Sequence, residues 1–256
     1  MSETRLETRG LTRHFGALVA VTGIDFKLAA GARHALIGPN GAGKTTFINL
    51  LTGVLQPSHG SVLLGGKDIT ATAQAERVKL GIARTFQINR LFRGLSVLEN
   101  VYIPVAERMG VAPSMFNPAG KRTDVIEEAM YLLEVLRLGD VAQHRVSELA
   151  YGRQRLVELA IAIGLRPGVL LLDEPAAGVP SAESHIILDA IERLPEDIAV
   201  LIIEHDMDVV FRFAKRVTVM VSGAIFAEGT PKEIEANPEV RAVYLGQAGA
   251  RAGDHA

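Results

Sequence analysis

Three runs in the last third of the chain, 169–173, 198–203 and 217–221, are apolar at nearly every position, and helix-length stretches at about 153–165, 182–194 and 207–214 lie around and between them. Apolar runs without alternation mark strands buried on both faces, and strands separated by helices predict a parallel sheet covered on both sides. The first third has a different texture. Residues 5–26 alternate apolar and polar, as in Val21-Thr22-Gly23-Ile24-Asp25-Phe26, which predicts short antiparallel strands. A buried strand at 33–37 leads into a helix expected to run to about 55, where Gln56-Pro57-Ser58-His59-Gly60 breaks it. A strand at 61–64 closes at Gly65-Gly66, 76–80 reads as helical, and 82–86 reads as a buried strand ending at Gln87. Residues 96–108 have helical periodicity, and 110–120 read as a loop carrying two prolines and two glycines. Over 124–138, Val125, Ala129, Leu132, Leu133 and Leu136 recur at helical spacing, so a helical insertion is expected at about 96–150. The pattern predicts one domain over 1–246 and a small, polar, disordered tail over 247–256.

Charge and composition narrow the possible partners. With 27 basic and 29 acidic side chains the formal charge is −2, so no basic field favours nucleic acid. The absence of cysteine removes disulfides, thiol nucleophiles and thiolate metal sites. Met1-Ser2-Glu3-Thr4-Arg5 lacks the apolar core of a secretory signal, and no apolar run approaches the ~18–20 residues a membrane helix needs. A cytoplasmic chain is expected, with any membrane role exercised through a partner.

The strongest chemical signal is Gly38-Pro39-Asn40-Gly41-Ala42-Gly43-Lys44-Thr45-Thr46. Its spacing is that of a P-loop, and it sits between an apolar strand and a helical run, the frame such a loop requires. Glycines admit a polyphosphate close to the backbone, whose N–H groups form an anion nest. Lys44 is expected at the β- and γ-phosphates of a nucleoside triphosphate and Thr45 at Mg²⁺, with the helix N-terminus aimed at the phosphates.

A second constellation lies downstream. Val169-Leu170-Leu171-Leu172 delivers Asp173 and Glu174 to the C-terminal edge of the sheet, where α/β ligands bind. Asp173 is expected to hold Mg²⁺ through water, and Glu174 to orient and deprotonate the attacking water. Gln87, at the end of its strand, is placed beside the metal. His205, after the run 198–204, is placed within reach of a γ-phosphate. Leu149-Ala150-Tyr151-Gly152-Arg153-Gln154 opens a further helix.

This order of P-loop, glutamine, Gly-containing helix start, Asp-Glu strand end and histidine resembles the ATP-binding cassette (ABC) ATPases over nearly the whole chain. The resemblance implies a P-loop α/β cassette with a RecA-like parallel-sheet core, an antiparallel β subdomain and an α-helical subdomain. It further implies head-to-tail pairing, with ATP between one P-loop and the partner's signature helix, here Ala150, Tyr151, Gly152 and Arg153. A transmembrane permease would contact the helical insertion, and Phe15 would stack on adenine. Arg84-Thr85-Phe86-Gln87-Ile88-Asn89-Arg90-Leu91-Phe92, Leu149-Ala150-Tyr151-Gly152, Asp173-Glu174-Pro175-Ala176-Ala177-Gly178 and Asn237-Pro238-Glu239-Val240 are similar to the ATP-binding subunits of branched-chain amino acid importers. Cassettes serving urea, aromatic acids or lipopolysaccharide export share much of this. A soluble, non-transport ABC ATPase is a further reading, and a regulatory subunit that does not hydrolyse would need Glu174 or His205 lost, whereas both are present.

Two departures from the family pattern carry expectations. The general signature reads Leu-Ser-Gly-Gly-Gln, whereas Ala150 offers no hydroxyl and Arg153 replaces the glutamine; the simpler reading of Arg153 is a solvated face. Val179-Pro180 replaces Leu-Asp, or the Leu-Asn of nearer relatives, after the catalytic strand, and Pro180 lacks a polar side chain and a backbone donor. Pairing with a different cassette would then give two unequal ATP sites, although a homodimer is also open. An extracytoplasmic solute-binding protein would be an indirect partner. Arg90, Leu91, Phe92 and the apolar positions from Val97 to Val101 are the candidate permease contact.

Overall fold

The computed structural model describes residues 3–85, 91–111, 122–179 and 181–243. Along the chain run β1 (Thr4–Phe15), β2 (Leu18–Ala29), β3 (Arg33–Ile37), α1 (Lys44–Thr52) and β4 (His59–Leu64). Next come β5 (Lys67–Asp68), α2 (Gln74–Lys79), β6 (Ile82–Thr85), α3 (Val97–Arg108) and α4 (Thr123–Val135). The last elements are α5 (Tyr151–Gly164), β7 (Val169–Asp173), α6 (Ser181–Glu192), β8 (Ala199–Ile203), α7 (Met207–Phe213), β9 (Arg216–Val221), β10 (Ala224–Gly229) and α8 (Pro231–Ala236). They fall into two compact units, Met1–Arg77 with Glu196–Ala256, and Val78–Pro195.

In the first unit, β3 lies between β8 and β9 and pairs parallel with both. Ala35, Leu36, Ile37 and every residue of β8 are buried, as their unbroken apolar sequence requires. Each fully buried branched side chain contributes roughly 1.5–3 kcal/mol, so these short strands hold the unit's centre. The antiparallel strands are longer than the alternation predicted. β1 and β2 each run 12 residues, and β1 also pairs with β4. Register shifts at several points along the β1–β2 pair break the alternation there, which is why the pattern read as separate short pieces.

The helix after the P-loop ends earlier than expected, at Thr52, where Gly53 forms a left-handed cap. Its last carbonyls are held by Arg77, whose Nη1 donates to Leu50 and Leu51 at 2.7 and 2.8 Å. The same guanidinium donates to Thr70 at 2.8 Å and Thr72 at 3.0 Å. Arg77 is fully buried, so it fixes the far end of the helix that carries Lys44 and Thr45. Arg77→Met, which fills the space but leaves buried carbonyls without donors, should destabilise the chain by roughly 2–4 kcal/mol, read as a lowered urea midpoint.

In the second unit, β6 and β7 pair in parallel, with Arg84 opposite Leu171 and Thr85 opposite Leu172. Helices α3, α4 and α5 pack on one another. Ser96 and Glu99 form a capping box that starts α3. Glu128 on α4 bridges Arg108 of α3 and Arg166 beyond α5, at 2.6 and 3.0 Å, and so ties the three helices. Val97 and Val101, expected on a partner-facing surface, are fully buried. They sit on the side of α3 that this helical core covers, so the permease contact does not include them. The loop expected over 110–120 lies mostly outside the described residues, and the tail lies wholly outside them.

Candidate functional site

The first unit carries the P-loop. Gly43 is the N-cap of α1, in a left-handed conformation at φ +95°, and a Cβ there would run into the carbonyl of Ala20. No side chain caps α1, so its first N–H groups are left to a ligand. The Lys44 ammonium donates to the carbonyls of Gly38 at 2.5 Å and Pro39 at 3.0 Å, which holds the charge over the loop. The turn between β9 and β10 braces the loop: Gly223 donates to the Ala42 carbonyl at 3.0 Å and accepts from Thr22 at 2.8 Å.

Phe15 and His205 belong to the same unit. The Phe15 ring is 43% exposed at the end of β1, with the guanidinium carbon of Arg13 4.7 Å from its centroid. A cation over one face leaves the other for a flat base. His205 follows β8. Its backbone N–H donates to the Glu204 carboxylate at 3.2 Å, and its exposed ring lies with Nδ1 3.8 Å from the same oxygen. Glu204 is itself buried, so the position after β8 is fixed while the imidazole projects outward.

The second unit carries the acids and the signature helix. Every residue of β7 is buried, and Asp173 ends it. Arg84, on the neighbouring strand, donates to Asp173 Oδ2 at 2.6 Å. This pair was not legible in the apolar run containing Arg84. It gives the buried carboxylate an opposite charge as partner. Glu174 follows with φ +45°, the left-handed region that costs a non-glycine residue of order 1 kcal/mol or more. Two turns then succeed one another, Ala177 donating to the Glu174 carbonyl at 3.0 Å and Val179 to that of Ala176 at 3.1 Å. Ala150 is the N-cap of α5 and supplies no side-chain cap, so the first backbone N–H groups of α5 have no acceptor from that residue. Arg153 is paired with Asp140 at 2.8 Å on an exposed face. Gln87, Arg90 and Pro180 lie outside the described residues.

The Thr45 hydroxyl at the start of α1 in the first unit and the Asp173 carboxylate at the end of β7 in the second are each oxygen donors of the kind that suits Mg²⁺. Among the described residues no cluster of three or more His, Asp or Glu would hold a metal by itself.

A P-loop opening a helix beside a parallel sheet defines a nucleoside-triphosphate-binding α/β protein. The ABC transporter family matches residues 21–177, and the chain belongs to it as a cassette ATPase. A second family, described as branched-chain amino acid ATP-binding cassette transporter, matches residues 224–250. The chain is 38% identical to the high-affinity branched-chain amino acid transport ATP-binding protein BraF of Pseudomonas aeruginosa, over 97% of its own length and 100% of that protein's. It is 37% identical to the corresponding LivG protein of Escherichia coli K12, with the same coverage. Among solved structures, the ADP conformation of an ATP-binding cassette of an ABC transporter superimposes with a TM-score of 0.84 at 34% identity, covering 95% of this chain and 99% of that one.

Proposed function

We propose that this chain is the ATP-hydrolysing motor of a branched-chain amino acid importer, acting beside a second cassette on the cytoplasmic side of a pair of permeases. The observation that carries the cargo reading is the match over 224–250, a segment beyond the nucleotide motifs, together with relatives that are similar from end to end. Among the described residues no helix is long and apolar enough to cross a membrane.

The reaction is ATP + H₂O to ADP + phosphate. The loop N–H groups and Lys44 bind the β- and γ-phosphates, and Thr45 and Asp173 would hold Mg²⁺, which spreads the developing charge. Glu174 takes a proton from the attacking water while its carboxylate orients the oxygen. Gln87 is assigned to the metal and His205 to the γ-phosphate. The α5 N-terminus is offered to the nucleotide of the partner cassette through backbone N–H groups, because Ala150 has no hydroxyl. With Pro180 in place of an acid, that contribution is weaker than a standard signature, and pairing with an unlike cassette gives unequal sites.

Coupling is assigned to Phe92. Asn100, almost fully buried, accepts from the Phe92 N–H at 2.9 Å and donates to the Phe92 carbonyl at 3.1 Å. The backbone is thereby clamped while the ring stands 58% exposed, a fixed apolar contact suited to a cytoplasmic permease helix. Deleting the gene should remove high-affinity uptake of labelled leucine, isoleucine and valine. Phe92→Asp should leave ATP hydrolysis within twofold and lower uptake at least tenfold. Intact leucine uptake with loss of urea or aromatic-acid uptake would reassign the cargo, and normal transport by the Phe92 variant would refute the contact.

A further inference from the structure

The inward side of α5 is unusually polar. Gln154, Arg155 and Glu158 are all buried on a helix that otherwise buries Leu156, Val157, Leu159 and Ala160. Arg155 Nη1 donates to Glu158 Oε2 at 2.8 Å, one helical turn apart. Burial pushes the Glu158 carboxyl above its ordinary range, against the pull of Arg155. An apolar pair of similar volume would usually be at least as stable in such a place. Stability alone therefore does not account for these residues.

Their surroundings suggest a task. The Arg155 guanidinium carbon lies 5.1 Å from the centroid of the Tyr151 ring, four residues back at the first turn of α5. That ring stands over Gly178, since a Cβ built there would lie 3.4 Å from Tyr Cε1. Gly178 has φ +74° and belongs to the paired turns that follow Glu174, so the ring meets bare backbone. The other end of the network borders Thr85 of β6 and Leu172 and Pro175 around the end of β7. Glu158, Arg155, Tyr151 and Gly178 thus form a continuous line from the strand ends to the helix start.

We propose that Arg155 is a positioning residue. It clamps the Tyr151 ring against Gly178, so that the α5 N-terminus and the turns after Glu174 move as one edge. The proposal rests on the reading that α5 serves a partner's nucleotide, and it gives a physical reason for a tyrosine where the general signature has glycine. An unclamped ring at the first turn of α5 would leave the N–H groups that face the phosphate without a fixed direction, and misplacement by an ångström is enough to lose much of a positioned group's effect.

The test uses the assembled cassettes and permeases. Arg155→Met/Glu158→Met removes both charges without leaving one buried alone, so the melting temperature should stay near that of the parent while turnover falls about tenfold. Half-saturation by ATP should stay within twofold, because the P-loops of both cassettes, which carry most of the phosphate binding, are untouched. Tyr151→Leu, which keeps apolar volume without a stacking ring, should show the same loss. Combining it with the double substitution should add little, since residues acting as a unit are not additive. Arg155→Lys keeps the pair with Glu158 but not the planar stack, and should fail to restore turnover. Parental turnover in the double variant, rescue by lysine, or losses that multiply would overturn the proposal. Gly152→Asp, which sets a carboxylate at the α5 N-terminus, separates the two levels of the argument. Parental turnover in that variant removes the underlying reading, and with it the clamp. Loss there with none in the Arg155 and Tyr151 variants removes the clamp alone.

Discussion

Glu174→Gln should lower ATP turnover by at least ~10²-fold while leaving binding of Mg²⁺-ATP intact. The substitution keeps the length, the branching and the hydrogen-bonding reach of the side chain, and removes only its ability to accept a proton from water. The position is fixed by the backbone around it. Asp173 closes a fully buried strand, Glu174 takes up φ +45°, and Ala177 donates to its carbonyl. A residue held left-handed at the end of a buried strand has little freedom to swing away, so loss of function in the variant reports chemistry and not disorder. Glutamine occupies the left-handed region no less readily than glutamate, and the melting temperature should therefore move little. Single-turnover hydrolysis beside equilibrium binding of a fluorescent ATP analogue separates the two effects. Hydrolysis at the parental rate would remove Glu174 as general base and move that role to another group.

The sequence was most legible where local chemistry and burial agree. The runs that became β7, β8 and β9 are apolar because they are buried on both faces, and the structure places them within a residue or two of the expected bounds. The P-loop was legible because its glycines answer a local backbone demand, visible in the cap at Gly43. Contacts between distant residues were not legible. Arg84 interrupts an apolar strand, and nothing in its neighbourhood announces that it reaches Asp173, 89 residues on. Arg77 lies in a stretch whose pattern gave only a helix, yet it is buried against four carbonyls. Val97 and Val101 show the reverse error, because periodicity identifies an apolar side without saying whether this chain or another covers it. The Tyr151–Arg155 stack was in principle available from the i, i+4 spacing, but the signature motif drew the reading of those residues toward phosphate alone.

Lys44→Ala should weaken ATP binding by at least ~10²-fold and abolish turnover at millimolar nucleotide. The ammonium is presented by the loop it serves, accepted by the carbonyls of Gly38 and Pro39, and it is the charged side chain of the nest. A unit charge about 4 Å from a phosphate oxygen contributes roughly 4 kcal/mol at the effective dielectric of a partly exposed site, or close to three decades of affinity. The backbone N–H groups and the N-terminus of α1 remain in the variant, so part of the phosphate attraction survives and the expected loss is set below that limit. Lys44→Arg should recover little of it, since a planar guanidinium cannot replace a compact ammonium that fits under two adjacent carbonyls. Titration with a fluorescent ATP analogue measures the loss directly, and addition of salt should narrow the gap between parent and variant as the charge is screened. Affinity within threefold of the parent would mean that the helix N-terminus and the nest hold the phosphates without the lysine.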